Sequence, residues 1–229
     1  FQDYTPILDR SGNHISNVFS TNVGSLALGT FYFIHGYGGS PIEFALKIPM
    51  QQALAEGFNV VAIESLALSA TSGTTKKLSD MTLQNHRRAI FHALMHCIHN
   101  PIMENGYNIN FSHSMGSRAM SDLSIASHII REFFNEYRLV NPYLLPQPKL
   151  QQVKKRMKQS GSWADIKMHG RTETRIIEGV PYKIPTTMYN YYVKLGDRRR
   201  ESFWQSEWNI PLSELEKIAR QASNYLQGK

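Results

Sequence analysis

Short, uninterrupted apolar runs alternate along this chain with amphipathic helical stretches, and that alternation decides which folds are open to it. Phe31-Tyr32-Phe33-Ile34 is such a run, as a strand buried on both faces of a parallel sheet requires. Phe58 to Ile63 reads as a second strand, Tyr107 to Phe111 as a third and Arg138 to Tyr143 as a fourth. The stretches between them carry helix punctuation. Ser40 is a good N-cap, Pro41 suits the first helical position, Glu43 completes a capping box and Gly57 is a stop signal. Thr82 to His99 places Leu83, Ile90, Phe91, Leu94 and Ile98 on one face before Asn100-Pro101 ends it. Ser117 to Tyr137 repeats the pattern with Met120, Leu123, Ala126, Ile130, Phe133 and Tyr137. Strands separated by helices of this length imply right-handed crossovers and a mostly parallel sheet flanked by helices, the α/β class. Pro6 to Gly29 reads as strand and turn, an antiparallel hairpin at the sheet edge.

Of the 229 residues, 41% are apolar and 19% charged, enough to bury a core and too apolar for a disordered tail. The length fits one domain, or one domain carrying an insertion. Cys97 is the single cysteine, which excludes a disulfide scaffold, and no uncharged apolar stretch approaches the roughly 20 residues of a membrane span. A lone cysteine suits a reducing cytosol and equally a secreted protein without disulfides, so the compartment stays open. The chain opens at Phe1, and we read it as a processed form or a piece of something longer. Its net charge of +7 resides wholly between Leu145 and Trp208. This composition shift divides the chain into a core at 1–144, a basic insertion at 145–208 and a helix at 209–229 returning to the core.

The chemistry lies in Asn110-Phe111-Ser112-His113-Ser114-Met115-Gly116, between the third strand and the third helix. A serine on a tight strand-to-helix turn projects its hydroxyl above the sheet, and the residues two before and two after it must be small. Gly116 meets that need, and Ser112 stands where glycine is usual. The helix start adds free N–H groups and a field that favours negative charge. Serines before a helix also serve as plain caps, and Ser112, Ser114 and Ser117 would all do so. His35-Gly36-Tyr37-Gly38-Gly39 supplies a second feature: a glycine-rich loop after an earlier strand, where an acyl-transfer site draws its other oxyanion donor. Taken alone, it is an ordinary strand-to-helix turn.

On FYFIHGYGGS, FNVVAI and NINFSHSMGSRAM, the stretch from Phe31 to Tyr143 resembles the α/β-hydrolase superfamily, its esterases and lipases in particular. The resemblance implies that Ser114 is the nucleophile and that the N–H groups of Met115 and Tyr37 form the oxyanion hole. It implies that His35, Gly36, Gly38 and Gly116 support the two turns, and that the basic insertion is a cap or lid. It implies hydrolysis of an ester or related acyl substrate through an acyl-enzyme, with no metal or organic cofactor. The same site would serve an acyltransferase or thioesterase, and a degenerate copy would make a binding or scaffold protein.

The triad is incomplete by sequence. In this fold an acid and then a histidine follow the serine, yet the last histidine is His169, within the insertion and without a strand pattern ahead of it. It reads as a loop histidine. His113 adjoins Ser114, but neighbouring side chains on a turn diverge. His92, His96 and His99 share a helix side at a spacing that suits zinc, without an accompanying carboxylate or thiol motif. Asp197, at the end of Tyr189 to Asp197, is the foremost acid candidate, and Glu64 comes second. Pro211 to Leu226 forms a helix of the kind that precedes the acid-bearing strand in the superfamily. The expectation is that the last two strands and the histidine lie beyond Lys229 or in a second chain. Lys149, Lys154, Lys155, Arg156 and Lys158, with Tyr182, Tyr189, Tyr191, Tyr192, Phe203, Trp204 and Trp208 near them in sequence, suit an anionic membrane surface or a plain solvated cap. No nucleic-acid motif is present, and none is expected as partner.

Overall fold

The computed structural model describes residues 1–41, 48–69, 80–140, 151–152, 155, 163–167, 172–177, 179–185, 210 and 212–228. The chain begins with β1 (Asp3–Leu8), β2 (His14–Thr21) and β3 (Thr30–Ile34), then α1 (Ile48–Ala55) and β4 (Asn59–Ser65). It continues with α2 (Leu83–His99), β5 (Asn108–His113), α3 (Met115–Ala126), α4 (His128–Phe133) and β6 (Glu136–Val140). β7 (Trp163–Lys167), β8 (Thr172–Ile177), β9 (Val180–Pro185) and α5 (Leu212–Leu226) complete the described elements.

Seven strands form one sheet in the order β1-β2-β4-β3-β5-β6-β7. β3 to β7 run parallel, while β1 pairs antiparallel with β2 and β2 pairs antiparallel with β4. The expected edge hairpin is therefore present. Asp9 closes it: its Oδ1 accepts the N–H groups of Ser11 and Asn13, each at 2.9 Å. Arg88 of α2 then donates to Asp9 Oδ2 at 2.6 Å and ties the hairpin to that helix.

Alternation along the strands divides the core in two. Tyr32, Ile34, Val61 and Ile63 face α2, α3 and α4, whereas Phe31, Phe33, Val60 and Ala62 face α1 and α5. Both faces are covered, which is why β3 and the middle of β4 are continuous apolar runs. Gly57 ends α1 at φ +89°, with the Phe58 N–H returning to Ala53 O and the Gly57 N–H to Leu54 O, a Schellman stop. Thr82 caps α2 by accepting the Asn85 N–H at 3.1 Å. α5 docks through Leu215, Ile218 and Ala222. At its start Glu214 accepts from Arg138 at 2.7 Å, and Arg138 also reaches Glu136. Burial pushes the Glu136 carboxyl above its usual range, against the opposing pull of the Tyr107 hydroxyl and Arg138.

Three boundaries differ from the sequence reading. The helix expected over Ser117 to Tyr137 breaks at Ser127, which is extended and caps α4 by accepting the Ile130 N–H. Tyr137 belongs to β6 (Glu136–Val140), which starts before the expected Arg138; residues 141–143 of the expected strand lie outside the described residues. Tyr137 is fully buried there, so its apolar spacing suited a helix and a strand alike. The basic insertion contributes β7 to the core sheet and a separate β8–β9 hairpin, so 145–208 is not a cap throughout. Trp163-Ala164-Asp165-Ile166-Lys167 escapes a search for apolar runs because charged residues interrupt it.

His86 of α2 is wholly buried, and among the described residues neither ring nitrogen meets a hydrogen-bond partner at close geometry. Burial, and next the neighbouring His35, hold its pKa well below the ordinary 6.5. The unfolded chain therefore binds a proton below pH 6.5 that the folded chain refuses. Stability from this group is full above that pH and falls below it, by up to about 1.4 kcal/mol per pH unit. Urea unfolding at pH 5 and pH 7.5 should show a smaller acid loss for His86→Leu than for wild type.

Candidate active site

β3 pairs with β4 on one side and β5 on the other, so the chain reverses its direction across the sheet beside β3. Parallel sheets bind ligands at the carboxyl ends of strands flanking such a reversal. The loop at 35–39 leaves β3 there, and Ser114 leaves β5.

Ser114 joins β5 to α3 at φ +54° and ψ −117°. Among the described residues, Asn105 is the one other non-glycine with positive φ. The turn is closed by the Ser114 N–H donating to Val140 O at 2.9 Å and the Arg118 N–H donating to Ser114 O at 3.0 Å. The side chain occupies the N-cap position of α3 without making a capping bond. Gly116 is there because nothing larger fits: a Cβ would lie 2.5 Å from His35 O and 2.7 Å from Ile34 O. Ser112 is tolerated because its hydroxyl turns beneath the strand and donates to Asn110 Oδ1 at 3.1 Å. The Ser117 hydroxyl lies 2.5 Å from Ser112 O and 2.9 Å from Val140 O, tying β5, β6 and α3 behind the turn.

The second turn packs directly on the first. A Cβ on Gly36 would stand 2.9 Å from Ser114 Cβ and 3.3 Å from Met115 N. His35 is fully buried. Its Nε2 accepts the Ser65 N–H at 2.9 Å, which fixes the tautomer, so Nδ1 donates to Gly36 O at 2.7 Å. The Gly38 N–H donates to Leu68 O and the Gly39 N–H to Gly36 O, while no backbone bond among the described residues engages the Tyr37 N–H that precedes them. Met115 opens α3, so its N–H is among those a helix leaves without an intrahelical partner. The Tyr37 side chain is half exposed.

Glu64 lies on β4, separated from β5 by β3. Its oxygens accept from Asn17 and Ser69, away from the Ser114 turn. Asp197 and His169 lie outside the described residues, as does most of the basic and aromatic stretch; Lys155 is exposed. One premise about His169 is overturned, because β7 does precede it. β7 ends at Lys167, level with Val140, which is level with His113. It therefore leaves the sheet at the edge where Ser114 sits. Among the described residues no three His, Cys, Asp or Glu side chains are grouped to hold a metal ion, and no helix is long and apolar enough to cross a membrane. A cavity of about 580 Å³ opens elsewhere, between Asp9 and His14 of the hairpin, Leu66 and Ala67 after β4, and Asn85 and Arg88 of α2. Sequence reasoning missed the Asn110–Ser112–Ser117 and Asn17–Glu64–Ser69 contacts, since neither set has a spacing signature.

No family model matches the sequence, and no curated protein matches it. Solved structures do. The Pyrococcus furiosus esterase Pf2001 aligns in one crystal form with a TM-score of 0.51 at 12% identity, over 73% of this chain and 83% of that one. A second crystal form gives 0.51 at 13% identity, over 73% and 82%. The chain has the α/β-hydrolase fold. A phospholipase/carboxylesterase structure from Dyadobacter fermentans aligns less closely, at TM-score 0.45 and 9% identity over 70% and 90%.

A side chain at φ +54° costs about 1–3 kcal/mol that glycine avoids. Ser114→Gly should therefore raise the unfolding midpoint in urea; an unchanged or lower midpoint would show that the turn is not strained.

Proposed function

We propose that this chain is a serine hydrolase that cleaves an ester or related acyl substrate through an acyl-enzyme on Ser114. The observation that carries the reading is the meeting of two turns: Ser114 on a positive-φ bend, with Gly36 packed against its Cβ and against Met115 N. In this mechanism Ser114 Oγ attacks the acyl carbonyl carbon while its proton passes to a base. The carbonyl oxygen becomes an oxyanion held by the N–H groups of Met115 and Tyr37. The tetrahedral intermediate collapses, the leaving group departs with a proton, and water then releases the acyl group by the same steps.

Two features of the fold support the assignment of donors. Orphan N–H groups at the start of α3 favour negative charge. The His35 ring, locked between Ser65 N and Gly36 O, holds the loop that presents the Tyr37 N–H. For the base, His169 follows two residues after β7 and is the histidine to replace first, in a Ser–His–Asp chain order that departs from the acid-then-histidine order usual in this fold. Asp197 is retained as the acid proposed to orient it, and the basic insertion as the segment proposed to meet an anionic membrane surface.

Ser114→Ala should abolish labelling by a fluorophosphonate probe and lower ester hydrolysis by at least about a thousandfold. His169→Ala should slow labelling while Ser114 remains the modified residue. Equal labelling of wild type and Ser114→Ala would remove Ser114 from the mechanism.

A further inference from the structure

We propose that Glu64 and Ser69 are positioning residues that hold the loop at 35–39 in place beside Ser114. The catalytic consequence of this inference rests on the acyl-enzyme reading; the positioning itself does not.

The contacts form one chain, running from the exposed Tyr4 and His14 to the buried Asn17, Glu64 and Ser69. Tyr4 OH and His14 Nε2 both approach Asn17 Oδ1, at 3.0 Å and 2.6 Å. Asn17 Nδ2 donates to Glu64 Oε2 at 2.7 Å, across the β2–β4 pairing in which the two residues are opposite each other. Ser69 Oγ donates to Glu64 Oε1 at 2.5 Å. Glu64 and Ser69 are each only 5% exposed. A carboxylate in such a place needs donors for its oxygens, and here they come from separate elements, the hairpin and the turn after β4. The carboxylate thereby fixes Ser69 relative to the sheet.

Ser69 in turn closes the 65–69 turn, its N–H donating to Ser65 O at 2.9 Å beside that of Leu68 at 3.2 Å. Both ends of this turn grip the loop. Leu68 O accepts the Gly38 N–H at 2.8 Å, and the Ser65 N–H donates to His35 Nε2 at 2.9 Å. The Tyr37 N–H lies between those two anchors. A buried carboxylate is seldom the most stable filling for a core position. Its use here is geometric: it sets where the turn stands, and the turn sets where the Tyr37 amide stands.

The test uses the full chain and two readouts. Hydrogen exchange followed by mass spectrometry on a peptide covering residues 35–40 reports the Gly38 anchor. Fluorophosphonate labelling reports the Ser114 site. Ser69→Ala should speed exchange in that peptide about tenfold with α5 unchanged, and slow labelling about ten- to a hundredfold, the scale of a small misplacement near reacting atoms. Ser69→Thr, which keeps the hydroxyl, should restore both. Glu64→Gln should fall between, because its amide still accepts one donor and the Ser69 hydroxyl can rotate to accept from its nitrogen. Wild-type exchange at 35–40 in Ser69→Ala would overturn the proposal. A wild-type chain that takes up no probe would overturn the acyl-enzyme reading alone, since the exchange result is decided independently.

Discussion

The carbonyls of Ile34 and His35 press against the α carbon of Gly116, and the rest of the site depends on that contact. It brings the start of α3 so close to the end of β3 that no side chain fits between them. The chain passes from β5 into α3 through a bend at Ser114 with positive φ, a conformation side chains rarely adopt. The bend persists because its surroundings over-determine it: Val140 O accepts the Ser114 N–H, and the Ser117 hydroxyl reaches carbonyls of both β5 and β6. Strain of this kind is held by neighbours, not by the residue that bears it.

Sheet topology explains why this bend has a loop to face. Because β3 lies between β4 and β5, the loop leaving β3 and the turn leaving β5 emerge side by side at one edge. The first begins with a buried histidine whose two ring nitrogens meet backbone groups, the second with a serine that makes no capping bond. Fold and site are thus one arrangement viewed at two scales. A helix N-terminus and a glycine loop, each common, are brought together by strand order.

Much of this was legible in the sequence, and the parts that were not share a cause. The apolar runs at Phe31 and Phe58, the Thr82 cap, the Gly57 stop and both turn motifs are written in adjacent residues. Tyr137 misled because a buried aromatic satisfies helical and strand spacing alike. β7 was invisible because Asp165 and Lys167 break its apolar pattern. Glu64 read as a distant candidate acid, yet its partners Asn17 and Ser69 come from both sides of it in sequence and meet only when β2 pairs with β4. Long-range polar contacts have no period, and only the folded chain reveals them.

The central claim is that the Ser114 hydroxyl faces amide hydrogens from two separate turns. Its most direct test is a crystal structure of the chain after reaction with a phosphonate ester. The account predicts phosphorus bonded to Ser114 Oγ and its oxygen about 2.7–3.1 Å from both Met115 N and Tyr37 N. Phosphorus on another residue, or an oxygen turned to solvent with neither amide in reach, would contradict it.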